Sequence, residues 1–232
     1  MRLFDLVCFD VDGTLLTHPR HKVIWQILNE RFLGTDRVNE ERLARYRRGE
    51  ISYSEWVSLD IGDWQRGGAT RSQILQGIAE LELVGGARRT LSALGRAGCR
   101  LAVISGTLDL CLDALFPDHP FDEVYTNRIR FDVEGRIAGW DATPFDMEGK
   151  ARALGEIAER ERIPLERCAF VGDHLNDVAA AREAGFAIAF NPKCREIEEA
   201  ADVVLRGDDL NALLPFLLSS VGEGTHRRSR PV

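Results

Sequence analysis

The chain alternates short, mostly apolar runs with longer segments in which apolar residues recur every three or four positions. Residues 3–9, 100–104, 168–171, 187–190 and 203–205 are runs of the first kind, too short for helices and rich in Val, Leu, Ile and Phe. Apolar character at successive positions, rather than at alternate ones, means that both faces of such a strand are covered, as in a parallel sheet. Between these runs, residues 87–97, 108–115, 149–162 and 174–184 have helix-forming composition and helical apolar spacing. The pattern predicts an α/β fold: βαβ units around a parallel sheet with helices on both faces.

Two stretches break the alternation. Residues 17–83 offer no convincing strand. Val23, Ile24, Ile27, Leu28 and Phe32 form one helical stripe there, a charged run follows, and Trp56, Leu59, Ile74, Ile78 and Leu81 continue the helical spacing. This reads as an all-helical insertion into a core made of residues 1–16 and 84–218. In residues 124–140, Ile129, Phe131 and Val133 alternate with polar residues before Glu134-Gly135, which predicts a small antiparallel hairpin. Residues 219–232 are rich in Gly, Ser and Arg and are expected to be a disordered tail.

Composition narrows the function. With 30 Lys+Arg against 37 Asp+Glu, the net charge of −7 disfavours nucleic acid as the main partner, since phosphate-backbone affinity needs a basic surface. Five dispersed cysteines without a CxxC pair make neither a disulfide framework nor a zinc site, and they read as small core residues in a reducing compartment. No apolar run is long enough to span a membrane or serve as a secretion signal, so a cytoplasmic location without membrane partners is expected. Oligomeric state has no signature in the sequence.

Candidate chemistry collects at the ends of the predicted strands, where open α/β sheets bind ligands. Asp10-Val11-Asp12-Gly13-Thr14 follows the first strand and brings two carboxylates to a Gly turn, although Asp and Gly also make ordinary turns. Ser105-Gly106-Thr107 follows the second and Gly172-Asp173-His174-Leu175-Asn176-Asp177 the third. Ser105 and Asp173 read either as helix caps or as part of a phosphate and cation site. Lys150 opens a helix, where its ammonium can offset phosphate charge.

In this order the four segments, FDVDGTLL (9–16), ISG (104–106), Lys150 and VGDHLND (171–177), resemble the motifs of the haloacid dehalogenase superfamily. With a helical insertion between the first two motifs, the chain looks most similar to the phosphoserine-phosphatase-like branch. The resemblance implies a Rossmann-like core, a helical cap and a phosphatase that hydrolyses a small phosphorylated metabolite through an aspartyl-phosphate. It implies Asp10 as nucleophile and Asp12 as acid and then base. Ser105, the Gly106 amide and Lys150 would hold the phosphate. Asp10, the Asp12 carbonyl and Asp173 would bind Mg²⁺, supported by Asn176 and Asp177. Asp12 favours phosphoester cleavage over dehalogenation, because an alkoxide leaving group needs a proton. A phosphotransferase using the same intermediate, and a non-catalytic phosphometabolite-binding protein, are the alternatives.

The cap departs from the branch. The acid and the base that phosphoserine phosphatases place there to hold the substrate ammonium and carboxylate fall at Pro19 and near Ser58, which predicts a substrate other than free phosphoserine. Trp25, Trp56 and Trp64 read first as core and second as cleft walls. His18, His21 and His174 read as solvated or capping residues before catalytic ones.

Overall fold

The computed structural model describes residues 1–147 and 149–219. The chain enters the core with β1 (Leu6–Phe9) and β2 (Leu16–Thr17), and then makes four helices, α1 (Ile24–Leu33), α2 (Arg37–Arg47), α3 (Tyr53–Arg66) and α4 (Arg71–Ile78). It re-enters through β3 (Glu82–Leu83), α5 (Ala87–Arg96), β4 (Arg100–Leu108), α6 (Asp109–Leu115), β5 (Glu123–Phe131) and β6 (Ile137–Asp141). The rest is α7 (Gly149–Arg160), β7 (Cys168–Gly172), α8 (Val178–Glu183), β8 (Phe186–Phe190), α9 (Arg195–Ala200), β9 (Val203–Leu205) and α10 (Leu214–Leu217).

Seven strands form one sheet in the order β6-β5-β4-β1-β7-β8-β9, parallel except for β6. Strand pleating divides the apolar runs between two layers. Val7, Phe9, Leu101, Val103, Ala169 and Val171 share a core with Leu91 and Leu94 of α5. Their neighbours Leu6, Cys8, Ala102, Ile104, Cys168 and Phe170 pack instead on Ala153, Leu154 and Ile157 of α7 and on Ala180 and Ala184. Double-sided burial is thus the reason that these strands read as continuous apolar runs.

The four-helix insertion is joined to the core by a neck. β2 and β3 pair antiparallel through Leu16↔Leu83 and Thr17↔Glu82, so the outgoing and returning chains run side by side. Strands of two residues are too short to give an alternating signal, which is why residues 17–83 read as strandless. Reciprocal capping boxes, Ser52 with Glu55 and Thr70 with Gln73, start α3 and α4. Ile24, Ile27, Leu28, Ile61, Trp64, Ile74 and Ile78 bury the insertion's apolar stripes.

The expected hairpin forms, with β5 pairing antiparallel with β6 around Glu134-Gly135, and β5 also pairs parallel with β4, which makes the hairpin one edge of the main sheet. Two further expectations are corrected. β4 does not stop at Ile104 but continues through Ser105-Gly106-Thr107 to Leu108, with an irregular register between Ile104 and Leu108. Ser105 therefore caps no helix. The helix predicted from His174 begins only at Val178, after a 3-10 turn over Leu175–Asp177. Ser219, the first residue of the expected tail, donates its N–H to the Met1 carbonyl at 2.8 Å, and residues 220–232 lie outside the described residues. Among the described residues no helix is long and apolar enough to cross a membrane, and all five cysteines are free thiols.

Candidate active site

The sheet order places β1 between β4 and β7, and the carboxyl ends of these three strands carry the chemistry. Asp10 follows β1, its N–H donating to the Val171 carbonyl at 2.9 Å. Beyond it the Val11 carbonyl accepts from the N–H groups of Thr14, Leu15 and Leu16, which folds the chain into a turn and leaves both Asp10 and Asp12 on the cavity wall. Gly13 is required twice. Its φ is +92°, and a Cβ there would lie 2.1 Å from Oδ2 of Asp173.

Beneath Asp10 a buried charge network forms around Lys150. Its Nζ donates to Oδ1 of Asp10 at 2.5 Å and to Oδ1 of Asp177 at 2.7 Å, with Asp146 at 3.8 Å. Burial alone would depress the Lys150 ammonium, but these carboxylates outweigh it and hold the group above its ordinary value. Asp177 is saturated: its other oxygen accepts from the N–H groups of Asp173 and His174 at 2.8 and 3.0 Å. Its place is to fix the β7 loop and Lys150.

Burial, the largest influence, pushes the carboxyls of Asp10, Asp12 and Asp173 upward. Asp10 is raised well above the usual range despite Lys150, and the charges of Asp177 and Asp173 add to the rise. Asp173 is lifted to about 7 by burial and by Asp177, against the pull of Lys193, whose Nζ lies 3.3 Å away. Asp12 is lifted to about 6 by burial. Oδ1 of Asp173 and Oδ1 of Asp12 are buried without a protein hydrogen-bond partner among the described residues.

On the β4 side Ser105 is 1% exposed, and its Oγ accepts from the Thr107 N–H at 3.2 Å, which leaves the hydroxyl hydrogen free to donate. The Gly106 carbonyl accepts from Nε1 of Trp25 at 2.8 Å and from Nδ2 of Asn127 at 2.7 Å. A Cβ on Gly106 would stand 2.0 Å from Oδ2 of Asp146 and 2.8 Å from the Tyr53 hydroxyl, so glycine is what lets these groups approach the strand.

Between this floor and the insertion lies a cavity of about 370 Å³, whose upper wall includes Trp25, Leu43, Tyr53, Trp56, Val57 and Asp60. The structure brings Asp10, Asp12, Ser105, Gly106, Asp173 and Asn176 to its lining, with Lys150 and Asp177 directly beneath. Pro19 is exposed and Ser58 accepts from Nε1 of Trp140; neither lines the cavity. The tryptophans divide: Trp64 is wholly buried core, whereas Trp25 and Trp56 are walls. His18 is buried with Nδ1 accepting from the Arg20 N–H, while His21 and His174 reach the lining.

Residue patterns missed Asp146, Lys193, Tyr53 and Asp60. Asp146 lies one helical turn before Lys150, a spacing that signals a charge pair, and it also accepts from Nδ2 of Asn176 at 2.9 Å. Lys193 follows β8, the next strand in the sheet, where Asn191-Pro192-Lys193 marks another strand end.

The family model for a haloacid dehalogenase-like hydrolase matches residues 4–185. The chain belongs to this family. Among these hydrolases it is 33% identical over 220 residues to a phosphoserine phosphatase of Mycobacterium tuberculosis, covering 94% of this chain and 51% of that protein. It is 28% identical to the phosphoserine phosphatase of Methanocaldococcus jannaschii, covering 91% and 97%. The chain spans between about half and three-fifths of the length of the first curated relatives that it matches, at 51%, 59% and 50%. A substrate-bound phosphoserine phosphatase structure superposes with a TM-score of 0.75 at 22% identity, over 93% of this hydrolase and 99% of that chain, a likeness of fold. The expected branch of the superfamily is thus the right one.

Proposed function

We propose that this hydrolase is a Mg²⁺-dependent phosphomonoesterase in which Asp10 attacks phosphorus, Asp12 moves protons and residues 17–83 act as a cap that selects the substrate. The observation that carries the reading is the pairing of Asp10 with Lys150 at 2.5 Å beside Asp12, a half-buried acid lifted to about 6, on the wall of one cavity beneath the insertion. Lys150 takes Oδ1 of Asp10 and leaves Oδ2 for bond formation. As the Asp10–phosphorus bond forms and the ester P–O bond breaks, Asp12 protonates the departing alkoxide. Asp12 then accepts a proton from water as that water's oxygen bonds to phosphorus and the Asp10 bond breaks. The Ser105 hydroxyl and the strand amides at Gly106 hold phosphoryl oxygens through this exchange.

The acids fit a divalent cation. Carboxylate oxygens of Asp10, Asp173 and Asp177 come within 4.8 Å of one another, and buried Oδ1 of Asp173 has no protein partner among the described residues. With Asp177 engaged by Lys150 and two amides, Asp10, Asp173 and the Asp12 carbonyl would hold Mg²⁺, which when bound offsets the charge of the acids and of the phosphate.

Metal and pH should therefore act together on stability. Asp173 is raised in the folded protein to about 7, above its unfolded value of about 3.9. In metal-free protein this group's effect on stability is most favourable below about pH 4 and worsens as pH rises toward about 7. Mg²⁺ favours the ionised form, so its rise in melting temperature should be clearly larger at about pH 7.5 than at about pH 5. Thermal melts with and without the ion check this; equal shifts at both pH values would count against Asp173 as a ligand.

Phosphoserine is the substrate of the named relatives, and Glu40 and Arg47 of the insertion do reach the cavity, but Pro19 and Ser58 supply no ion pair and the aromatic part of the upper wall supports a leaving group with an apolar or ring-bearing body. Hydrolysis of a generic aryl phosphate with and without Mg²⁺ tests the activity, and a panel of phosphorylated metabolites tests the preference. Absence of metal-dependent phosphate release from folded protein would sink the first; a leading rate on phosphoserine would sink the second.

A further inference from the structure

The upper wall of the cavity contains a carboxylate that the phosphatase chemistry does not use. Asp60, in the middle of α3, is 1% exposed and lines the cavity beside Trp56 and Val57. Its Oδ1 is fully engaged, accepting from Nδ2 of Asn29 at 3.2 Å and from the Arg42 guanidinium. Asn29 is itself fixed, its Oδ1 accepting from Nε1 of Trp64 at 2.7 Å, and the second arm of Arg42 is tied to Asp63. Three helices thus converge to hold one oxygen of Asp60 rigidly. Burial raises the carboxyl's affinity for protons, and Arg42, Asn29 and Trp56 offset only part of that rise.

Oδ2 is treated differently. It is buried and completes no hydrogen bond of ordinary geometry among the described residues, even with the Trp56 side chain, one turn earlier on α3, acting on the same carboxylate. A buried acceptor left in that state is costly, and a partner is the expected remedy. Because the Arg42 charge already balances Asp60, the need is for a hydrogen-bond donor rather than for a second buried cation. The surroundings state what else the ligand must carry: the rings of Tyr53 and Trp56, centroids 6.3 Å apart, and the Trp25 indole form an aromatic wall on the same cavity.

We propose that Asp60 is a specificity-determining residue whose Oδ2 accepts a hydrogen bond from a hydroxyl or N–H on the organic part of the substrate, a ring-bearing phosphomonoester packed against Trp25, Tyr53 and Trp56. The inference rests on the phosphatase reading, to which it adds the class of ester. A site built around a buried acceptor discriminates strongly against the analogue that lacks the donor, since binding that analogue leaves the acceptor unpaired.

The test uses benzyl and phenethyl phosphates in matched pairs, with and without a hydroxyl or amino group on the ring, assayed with Mg²⁺. Wild-type protein should favour the donor-bearing member of at least one pair by about tenfold or more in kcat/KM. Asp60→Asn, whose amide oxygen can still accept from Asn29, should remove that preference by slowing the donor-bearing member about tenfold while leaving its partner within about twofold. A second variant, Asp60→Asn with Arg42→Gln, removes the buried charge together with its counter-ion and guards against a folding defect in the first. Equal wild-type rates within every pair, or an equal fall of both members in the folded variants, would overturn the proposal and leave Asp60 as a strut for Arg42. No turnover of any member would instead strike at the phosphatase reading.

Discussion

Asp10→Asn is expected to form no phospho-enzyme and to lose turnover by on the order of 10⁴-fold or more, the scale on which removal of a nucleophile acts. The change is isosteric, and the amide oxygen can still accept from Lys150, so the geometry of the floor should survive. Stability should move the other way. Asp10 is raised well above the usual carboxylate range by burial and by the charges of Asp177 and Asp173, so a neutral group there removes repulsion. Metal-free Asp10→Asn should melt at or above the wild-type temperature near pH 7.5, a combination that separates lost chemistry from lost fold. Acid-quench trapping of labelled phosphate reads the intermediate. In the same assay Asp12→Asn should retain a trappable phospho-enzyme that turns over slowly. Near-normal turnover by Asp10→Asn would end the nucleophile assignment.

Lys150→Met should be the most damaging single change to the fold among the site residues. The side chain is 0% exposed and lies against Asp10 and Asp177, with Asp146 close by. Deleting one side of a buried ion network leaves uncompensated charge and costs about 3–5 kcal/mol. For a chain of this size that corresponds to a fall in melting temperature of roughly 10 °C. The deficit should depend on pH. Without the ammonium, the folded-state pKa values of Asp10, Asp12 and Asp173 rise further above their unfolded values, so stability falls as pH increases and recovers as these acids protonate. Melts at about pH 4.5 and 7.5 should show the smaller deficit at the lower pH. Adding Asp177→Asn to Lys150→Met should restore part of the loss, since the two residues are in contact and their effects do not add. A deficit independent of pH, unrelieved by the second change, would mean that Lys150 acts through packing alone.

How much of this could be read from the chain follows from how local each signal is. Strands buried on both faces announce themselves as apolar runs, and Asp10, Asp12, Lys150, Asp173 and Asp177 stand at the ends of those runs or at a helix start. β4 was harder. Ser105-Gly106-Thr107 has turn-forming composition, and only pairing of Leu108 with Asn127 on the neighbouring strand keeps the backbone extended past the irregularity. Asp60 was invisible for a different reason. Its partners Asn29 and Arg42 are 31 and 18 residues away on other helices, so a carboxylate that looks like one more polar position on α3 becomes buried only through tertiary packing. The same holds for Tyr53, which reaches the core through Nδ2 of Asn127, 74 residues on.

The Gly106 carbonyl has a consequence for engineering. One of its two donors, Asn127, belongs to the sheet, and the other, Trp25, belongs to the first helix of the insertion. The peptide plane that begins with this carbonyl ends in the Thr107 N–H, which is turned onto Ser105. Part of what orients the strand that carries Ser105 and Gly106 is therefore borrowed from the insertion. A chimera that replaced residues 17–83 with a cap from a relative would import a new set of walls, but unless the graft offered an N–H where the Trp25 indole stands, it would also release one tether on the strand beneath. Specificity and turnover would then change together, and a graft chosen only for its cavity lining would be selected on half of what the segment supplies.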